Sequence, residues 1–199
     1  MKKLSKYLAE KLLMKQRFDE KLIINKDYRD NTIVVKSFDE LRKIIVDRYI
    51  KLGPGTKQNP IDFNDIDVSN LDSFCNNNDI GIFEGTNFKY IDISEWDVSN
   101  IKSMRGMFYM CKELESVGNI SGWDVSNVTN MTGMFDGCRS FNQDISSWDV
   151  SNVTSMSFMF CNCESFNQDL SGWNVSKVFY KLNVFNHCPI KEEYKPKFK

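Results

Sequence analysis

The sequence predicts an α/β repeat solenoid preceded by a small α+β segment, and two observations carry this prediction. A motif of Trp or Ile followed by Asp or Asn, Val and Ser occurs five times between residues 66 and 177. Within each unit the apolar spacing changes from three or four residues to an extended pattern. A short unit of this kind buries its apolar side chains only by stacking on its neighbours, so the repeat predicts one continuous core.

Residues 1–58 form the first predicted domain, with the order helix, strand, strand, helix. Leucines at helical spacing predict an amphipathic helix over residues 3–17. The isoleucine-rich run 21–25 and the β-branched run 32–36 predict two short strands on either side of a turn. A domain of this size buries little apolar surface by itself, so we expect it to cover the first repeat.

The second helix of this domain carries a start signal and a stop signal. Ser37 and Glu40 have the spacing of a capping box, in which the serine hydroxyl accepts a hydrogen bond from the Glu40 amide. Apolar residues at helical spacing follow, and Gly53-Pro54-Gly55 ends the pattern. The two signals predict a helix that begins after Ser37 and ends before Gly53.

Residues 59–190 form the second predicted domain, a solenoid of five repeats. Repeats 1 to 5 begin at Ile66, Trp96, Trp123, Trp148 and Trp173. Repeat 1 lacks the Met-Phe-Cys pattern of the others, as expected of a unit that meets a cap. We predict one strand and one short helical or 3₁₀ segment in each repeat, followed by a basic tail over residues 191–199.

The tryptophans at the start of repeats 2 to 5 admit two interpretations. As packing residues they lie in the core or half-buried against the neighbouring repeat. As an exposed row they stack on sugars or on apolar residues of a partner, and the sequence leaves both interpretations open. Each tryptophan lies two positions from a core valine and so can share its face, which favours packing.

Outward positions between the fixed residues vary from repeat to repeat and are the expected recognition surface. Phe158 stands where the neighbouring repeats have Gly106 and Gly133, and Arg105 occupies a variable position of repeat 2. An apolar side chain at an outward position is typical of a contact with a partner. The candidate partner contacts are Phe158, Trp96, Trp123, Trp148, Trp173 and Arg105.

The repeats resemble the BspA-like leucine-rich repeats of the mycoplasma lipoprotein type. Residues 123–173 carry two near-perfect copies of Trp-Asp-Val-Ser-Asn-Val-Thr-x-Met-x-x-Met-Phe-x-x-Cys-x-x-Phe-Asn-Gln-Asp-Ile-Ser, and the resemblance extends over about residues 61–188. It implies a right-handed, leucine-rich-repeat-like solenoid with a parallel β-sheet on one face. It also implies adhesion or protein–protein recognition, and residues 21–25 and 37–52 resemble leaders found on such repeats in gut bacteria and their phages.

The cysteines and aspartates of the repeats are best explained as structural residues. A cysteine follows each Met-Phe or Val-Phe pair by three residues, which predicts a buried ladder of thiols. The competing interpretation is a metal site made of Cys161, Cys163, His187 and Cys188, but zinc sites usually have wider cysteine spacing, so no metal or other cofactor is predicted. The aspartates after the Ile or Trp of repeats 1 to 4 could bind calcium, and are better explained as caps of the segment that follows.

Charge and hydropathy exclude some classes of function. Residues 1–51 hold 14 Lys/Arg against 8 Asp/Glu, residues 52–190 hold 8 against 17, and the tail holds 4 against 2, which sums to a net charge of −1. This balance argues against a nucleic-acid-binding protein, and no run approaches the ~18 apolar residues of a membrane span. Charged residues interrupt the apolar segment that a signal peptide needs, so we expect cytoplasmic synthesis, with incorporation in a virion as an option and a surface location less favoured.

Three hypotheses about function follow, and none is catalytic. The first is a protein–protein interaction module that presents the repeat surface to a protein partner. The second is a structural component of an assembly such as a bacteriophage virion or a surface array, with self-association through the end of the solenoid. The third is an exported adhesin-like protein. An enzyme is not expected, because the chain has a single histidine, His187. Its only candidate partner is the adjacent Cys188, and adjacent residues rarely orient one another as base and nucleophile.

Overall fold

The computed structural model of the chain describes residues 32–198 and divides the chain into two compact units, Met1–Val34 and Val35–Lys199. Strand β1 (Ile33–Val34) is the described element of the first unit. The helix predicted over residues 3–17 and the strand predicted over residues 21–25 lie outside the described residues. The last residue of the basic tail does so as well.

The second unit contains one α-helix, three two-residue strands and a 3₁₀ helix among its described residues. In chain order these are α1 (Phe38–Leu52), β2 (Ile61–Asp62), β3 (Ile66–Asp67), β4 (Ile91–Asp92) and the 3₁₀ helix Glu192–Tyr194. Strands β2 and β4 pair in parallel, with Ile61 opposite Ile91. The remaining ladder of the repeats consists of single bridges and turns.

Helix α1 has the start and stop that the sequence predicts. The Glu40 amide donates to Ser37 Oγ at 3.2 Å, and the Glu40 carboxylate accepts from the Lys36 amide at 2.7 Å. At the other end Gly53 adopts φ 78° and its amide donates to the Tyr49 carbonyl. A residue with a β-carbon is strained at this φ, so glycine ends the helix where the sequence indicates.

Helix α1 packs on repeat 1. Leu41 and Ile45 are fully buried, and the Tyr49 ring meets the edge of Phe88 at a centroid distance of 4.9 Å. The Arg42 guanidinium donates to the carbonyls of Ile82 and Glu84 in repeat 1. The helix therefore supplies both apolar cover and hydrogen-bond donors to the start of the repeats.

Equivalent residues of successive repeats pair with one another in parallel. The single bridges join Ser73 to Ser103, Ser103 to Asn130, Asn130 to Ser155, and Ser155 to Tyr180. Alternate amides of each repeat then donate to carbonyls of the next, as in the 2.8 Å bond from Phe158 to Leu182. The repeats are thus stacked in register, and the same position of each unit lies beside its counterpart.

The core is built from columns of identical side chains. Phenylalanines 83, 108, 135, 160 and 185 stack with centroid distances of 5.3 to 5.7 Å. Methionines 104, 131 and 156 and the valines of each repeat are buried beside them. Stacked rings of this geometry contribute about 0.5–1.5 kcal/mol per pair beyond the burial of their area.

Turns occupy most of the segments of repeats 1 to 5 for which a short helix and strand are predicted, and the exceptions are β3 and β4 in repeat 1. Two residues in most repeats adopt positive φ, and in repeat 2 these are Gly106 (58°) and Met110 (59°). Their amides donate to Thr132 and Asp136 of the next repeat at 2.9 and 2.8 Å, and not to a carbonyl one turn earlier. A helix cannot continue through such positions, because its bonds must stay within the segment. Whether the stack is a right-handed, leucine-rich-repeat-like solenoid with a parallel sheet on one face stays a prediction.

Repeat 1 keeps the pattern of the others around an insertion. Phe74 occupies the methionine column, Phe83 the phenylalanine column and Thr86 the cysteine column, as their contacts with repeat 2 show. Six residues, 75–80, stand where the other repeats have one, and an antiparallel bridge closes this loop. The insertion hides the register in the sequence, which is why repeat 1 looks degenerate there.

Candidate interaction surface

The four tryptophans lie inside the stack. Their exposed fractions are 4, 6, 3 and 6% for Trp96, Trp123, Trp148 and Trp173. The indoles of Trp123 and Trp148 stack with a centroid distance of 6.2 Å and an interplanar angle of 8°. Of the two interpretations, this burial supports packing, and the indoles leave almost no surface for a partner.

Phe158 is half-buried and occupies a left-handed backbone position. Its φ is 60°, which matches 58° at Gly106 and 59° at Gly133 in the preceding repeats. An L-residue with a β-carbon costs about 1–2 kcal/mol in this conformation, and glycine adopts it freely. Repeat 4 therefore carries an aromatic ring where the backbone favours glycine.

Arg105 lies on the outward side of repeat 2 and has a partner within the chain. Its Nε is 3.1 Å from Asp79 Oδ1, and the two side chains are 37% and 65% exposed. Asp79 belongs to the insertion of repeat 1, so the ion pair joins that loop to repeat 2. An exposed pair of this kind contributes at most about 1 kcal/mol, and Arg105 remains accessible to a ligand.

The cysteine column is buried and hydrogen-bonded, and all six cysteines of the chain are free thiols, as expected. The thiols of Cys111, Cys138 and Cys163 each donate to a phenylalanine carbonyl of the preceding repeat at 3.0 to 3.1 Å. Burial raises the pKa of Cys111 to about 11 and also raises the pKa values of Cys138 and Cys163. Protonated, buried thiols of this kind are poor nucleophiles and serve as packing residues.

The aspartates that follow the repeat tryptophans close turns. Asp97 Oδ1 accepts from the amide of Ser99 at 3.0 Å and from its hydroxyl at 2.6 Å, and Asp149 accepts from the Ser151 amide at 3.0 Å. The hydroxyls and amides of these serines lower the pKa values of both carboxyls. The aspartates thus form Asx turns. Each aspartate therefore closes a turn, where the sequence predicts that it caps the segment that follows.

Neither a metal cluster nor a membrane-spanning helix is found within residues 32–198. No three His, Cys, Asp or Glu side chains of that range come together as metal ligands would. Its helices also fall short of the length and apolar character needed to cross a bilayer.

Repeat 5 differs from the others on its outward side, at positions that are not among the predicted contacts. Phe179, Tyr180 and Leu182 are 76, 69 and 62% exposed. The equivalent residues in repeats 2 to 4 are polar: Lys102, Ser103 and Arg105, then Thr129, Asn130 and Thr132, then Thr154, Ser155 and Ser157. Comparing the five repeats position by position would have found this signal, because three consecutive outward positions become apolar in one unit only.

The stacked, self-similar units define a repeat protein. A family model described as "Mycoplasma protein of unknown function, DUF285" matches residues 77–195, and the chain belongs to that family. No curated protein and no solved structure matches the chain.

Proposed function

We propose that the chain is a non-catalytic protein–protein interaction module that presents the outward side of its repeats to a protein partner. In this proposal the repeats are of the BspA-like leucine-rich type, stacked as a right-handed solenoid with a parallel sheet on one face. The described thiols and aspartates support a non-catalytic role, because they are engaged in packing and in turns. The protein is made in the cytoplasm and recognises a protein, not a nucleic acid.

The observation that carries the proposal is the left-handed, half-buried Phe158. A backbone strain that the fold could relieve with glycine, as it does at Gly106 and Gly133, is a mark of a functional position. Aromatic side chains are also the commonest anchors of protein interfaces, with arginine close behind. We therefore assign partner contact to Phe158, with Arg105, which precedes the equivalent Gly106 in repeat 2, as a second contact.

Capture of the partner from the native organism tests this proposal. The bait is the full chain, and its Phe158→Gly and Arg105→Ala variants are compared with an Arg139→Ala control, whose arginine is also exposed and ion-paired. Phe158→Gly relieves the strain of the left-handed backbone, and urea denaturation of the variant verifies that the fold is kept. We expect roughly tenfold lower recovery of one defined protein for Phe158→Gly and unchanged recovery for the control. Equal recovery by the wild type and both test variants contradicts the proposal.

A structural role in an assembly is the second candidate, because the outward side of repeat 5 exposes three large apolar residues. Scattered apolar residues are normal on a protein surface, but Phe179, Tyr180 and Leu182 lie within four positions of one another. Self-association through this end is the form of assembly predicted from the sequence. Sedimentation over a wide concentration range tests it, and a monomer at every concentration argues against self-assembly.

A further inference from the structure

The ladder of hydrogen bonds that joins the repeats stops at repeat 5. In repeat 4 the amides of Phe158, Phe160 and Asn162 donate to repeat 5 at 2.8, 2.9 and 2.8 Å. Their counterparts in repeat 5 are Asn183, Phe185 and His187. Among residues 32–198 the amides of these three counterparts have no acceptor. We call residues 179–187 the repeat 5 edge.

The repeat 5 edge offers donors, and two of its carbonyls are already engaged. The carbonyl of Asn183 accepts from the Asn186 amide at 3.3 Å, and that of Phe185 accepts from the Cys188 amide at 3.2 Å. An ordinary strand edge presents both N–H and C=O groups. A ligand that completes this edge must therefore bring a row of acceptors for these amides, and a donor for the Phe179 carbonyl, whose counterpart at Thr154 accepts from repeat 5.

The surroundings of the repeat 5 edge are apolar and basic. Phe179, Tyr180 and Leu182 are exposed beside the three amides. Residues 171–198 contain five lysines and two glutamates, and Asn174 replaces the aspartate of the earlier repeats. Lys195 Nζ lies 6.0 Å from the centre of the Phe185 ring and is ion-paired with Glu192 at 2.6 Å, and the net charge of the segment remains positive. These charges favour a ligand that is acidic.

We infer that the repeat 5 edge binds an extended, acidic segment of a partner protein, which adds to the stack as a further strand. The inference rests on the proposed function and names the kind of partner. Carbonyls of the segment accept from Asn183, Phe185 and His187, as the carbonyls of repeat 5 accept from repeat 4. Its uncharged side chains pack on Phe179 and Leu182, and its carboxylates are attracted by the net positive charge of residues 171–198.

A second copy of the chain is a poorer occupant of this edge. Two repeat 5 edges placed together set amide donors against amide donors, so neither row is satisfied. The opposite end of the stack is covered by α1, where Arg42 already donates to Ile82 and Glu84. A foreign segment meets neither difficulty, which is why we commit to it.

A titration of the ¹⁵N-labelled full chain tests the inference. The probe is a blocked peptide of about ten residues in which Glu and Thr alternate, long enough to span the edge. A Lys–Thr peptide of the same length is the control, since it brings the same carbonyls with the opposite charge. We expect the amide signals of Asn183, Phe185 and His187 to shift with the Glu–Thr peptide, and binding roughly tenfold weaker with the Lys–Thr peptide.

Charged substitutions locate the binding and separate the two proposals. Phe179→Glu combined with Leu182→Glu should weaken binding of the Glu–Thr peptide roughly tenfold, because acid replaces apolar surface at the edge. Lys102→Glu, at the Phe179 position of repeat 2, is the matched control and should leave binding unchanged. Arg105→Ala tests the proposed function and should also leave peptide binding unchanged, so each proposal can fail alone.

Three results overturn the inference. The first is the absence of shifts at the three amides at about millimolar peptide, a range that includes weak recognition. The second is equal binding of the Glu–Thr and Lys–Thr peptides. The third is a shift of the same amides with protein concentration alone, which identifies the occupant as a second copy.

Discussion

At the scale of single residues, the left-handed positions decide what each repeat tolerates. Gly133 at φ 59° has open space around its α-carbon, so a methyl group there meets no neighbour and only the backbone responds. Phe158 holds the same conformation with a ring attached. The two positions therefore form a matched pair in which the same backbone strain is added or removed.

We predict that Gly133→Ala lowers the free energy of unfolding by about 1 kcal/mol and that Phe158→Gly does not lower it. The physical reason is that glycine adopts positive φ without the clash of a β-carbon. Urea denaturation of both variants and the wild type measures the effect. A clear loss of stability in Phe158→Gly would mean that the ring packs as a core residue, against its assignment as a partner contact.

Because of the buried thiols, the free energy of unfolding depends on pH in the alkaline range. The pKa of Cys111 is raised from 9.0 to about 11, so the unfolded chain releases this proton first. The thiol's contribution is complete below about pH 9 and is lost as the pH rises toward about 11, at about 1.4 kcal/mol per pH unit. Cys111→Ser keeps a hydroxyl donor that does not ionise in this range.

We predict that the free energy of unfolding of Cys111→Ser falls less steeply between about pH 9 and 11 than that of the wild type, by about 1.4 kcal/mol per pH unit. Denaturation at a series of pH values measures the two slopes. Below about pH 8 the two profiles should run parallel, since the thiol is protonated in both the folded and unfolded chains. Identical slopes above pH 9 would show that Cys111 ionises as readily in the folded chain as in the unfolded chain.

At the scale of elements, helix α1 acts as a cap through Arg42. Its guanidinium donates to the Ile82 and Glu84 carbonyls, which in later repeats accept from a preceding repeat. We predict that Arg42→Ala lowers the free energy of unfolding by about 1–3 kcal/mol, because hydrogen bonds from a charged donor are lost. Lys43→Ala, at an exposed position of the same helix, should change it by less than about 0.5 kcal/mol. Equal effects in thermal denaturation would argue against a capping role.

Much of α1 and of the core columns could be predicted from the sequence, because local rules decide them. Ser37, Glu40 and Gly53 bound the helix through capping and glycine geometry alone. The insertion of repeat 1 could not be predicted, since Phe74 and Phe83 belong to neighbouring columns that only contacts with repeat 2 reveal. The segments expected to be helical are turns, because their amides donate to the next repeat. The sequence does not distinguish the two structures, since apolar residues have the same spacing in these turns as in a helix.

The candidate surface was predictable in part. Phe158 was predictable as a candidate contact because the equivalent residues of repeats 2 and 3 are glycines. In the structure, Phe158 has the same positive φ as those glycines and is therefore strained. The exposure of the tryptophans could not be decided from spacing, since a residue two positions from a core valine can face inward on a turn as well as on a strand. The repeat 5 edge could not be predicted, because it is defined by backbone amides that have no acceptor within residues 32–198. A pattern of residue types does not show which amides are paired.

At the scale of the described stack, the two ends of the repeats are unlike. The first repeat is covered by α1, with Leu41 and Ile45 over the core and Arg42 on its carbonyls. At the last repeat, the amides of Asn183 and Phe185 have no acceptor within residues 32–198. This asymmetry is the basis for assigning recognition to the repeat 5 end.

Amide hydrogen exchange of the free, full chain tests this asymmetry most directly. The amides of Phe158, Phe160 and Asn162 should exchange slowly, because each donates to repeat 5. Their counterparts in repeat 5, Asn183, Phe185 and His187, should exchange at least roughly a hundredfold faster. Equal protection of the two sets would show that the repeat 5 edge is already covered in the free protein, and would contradict the account.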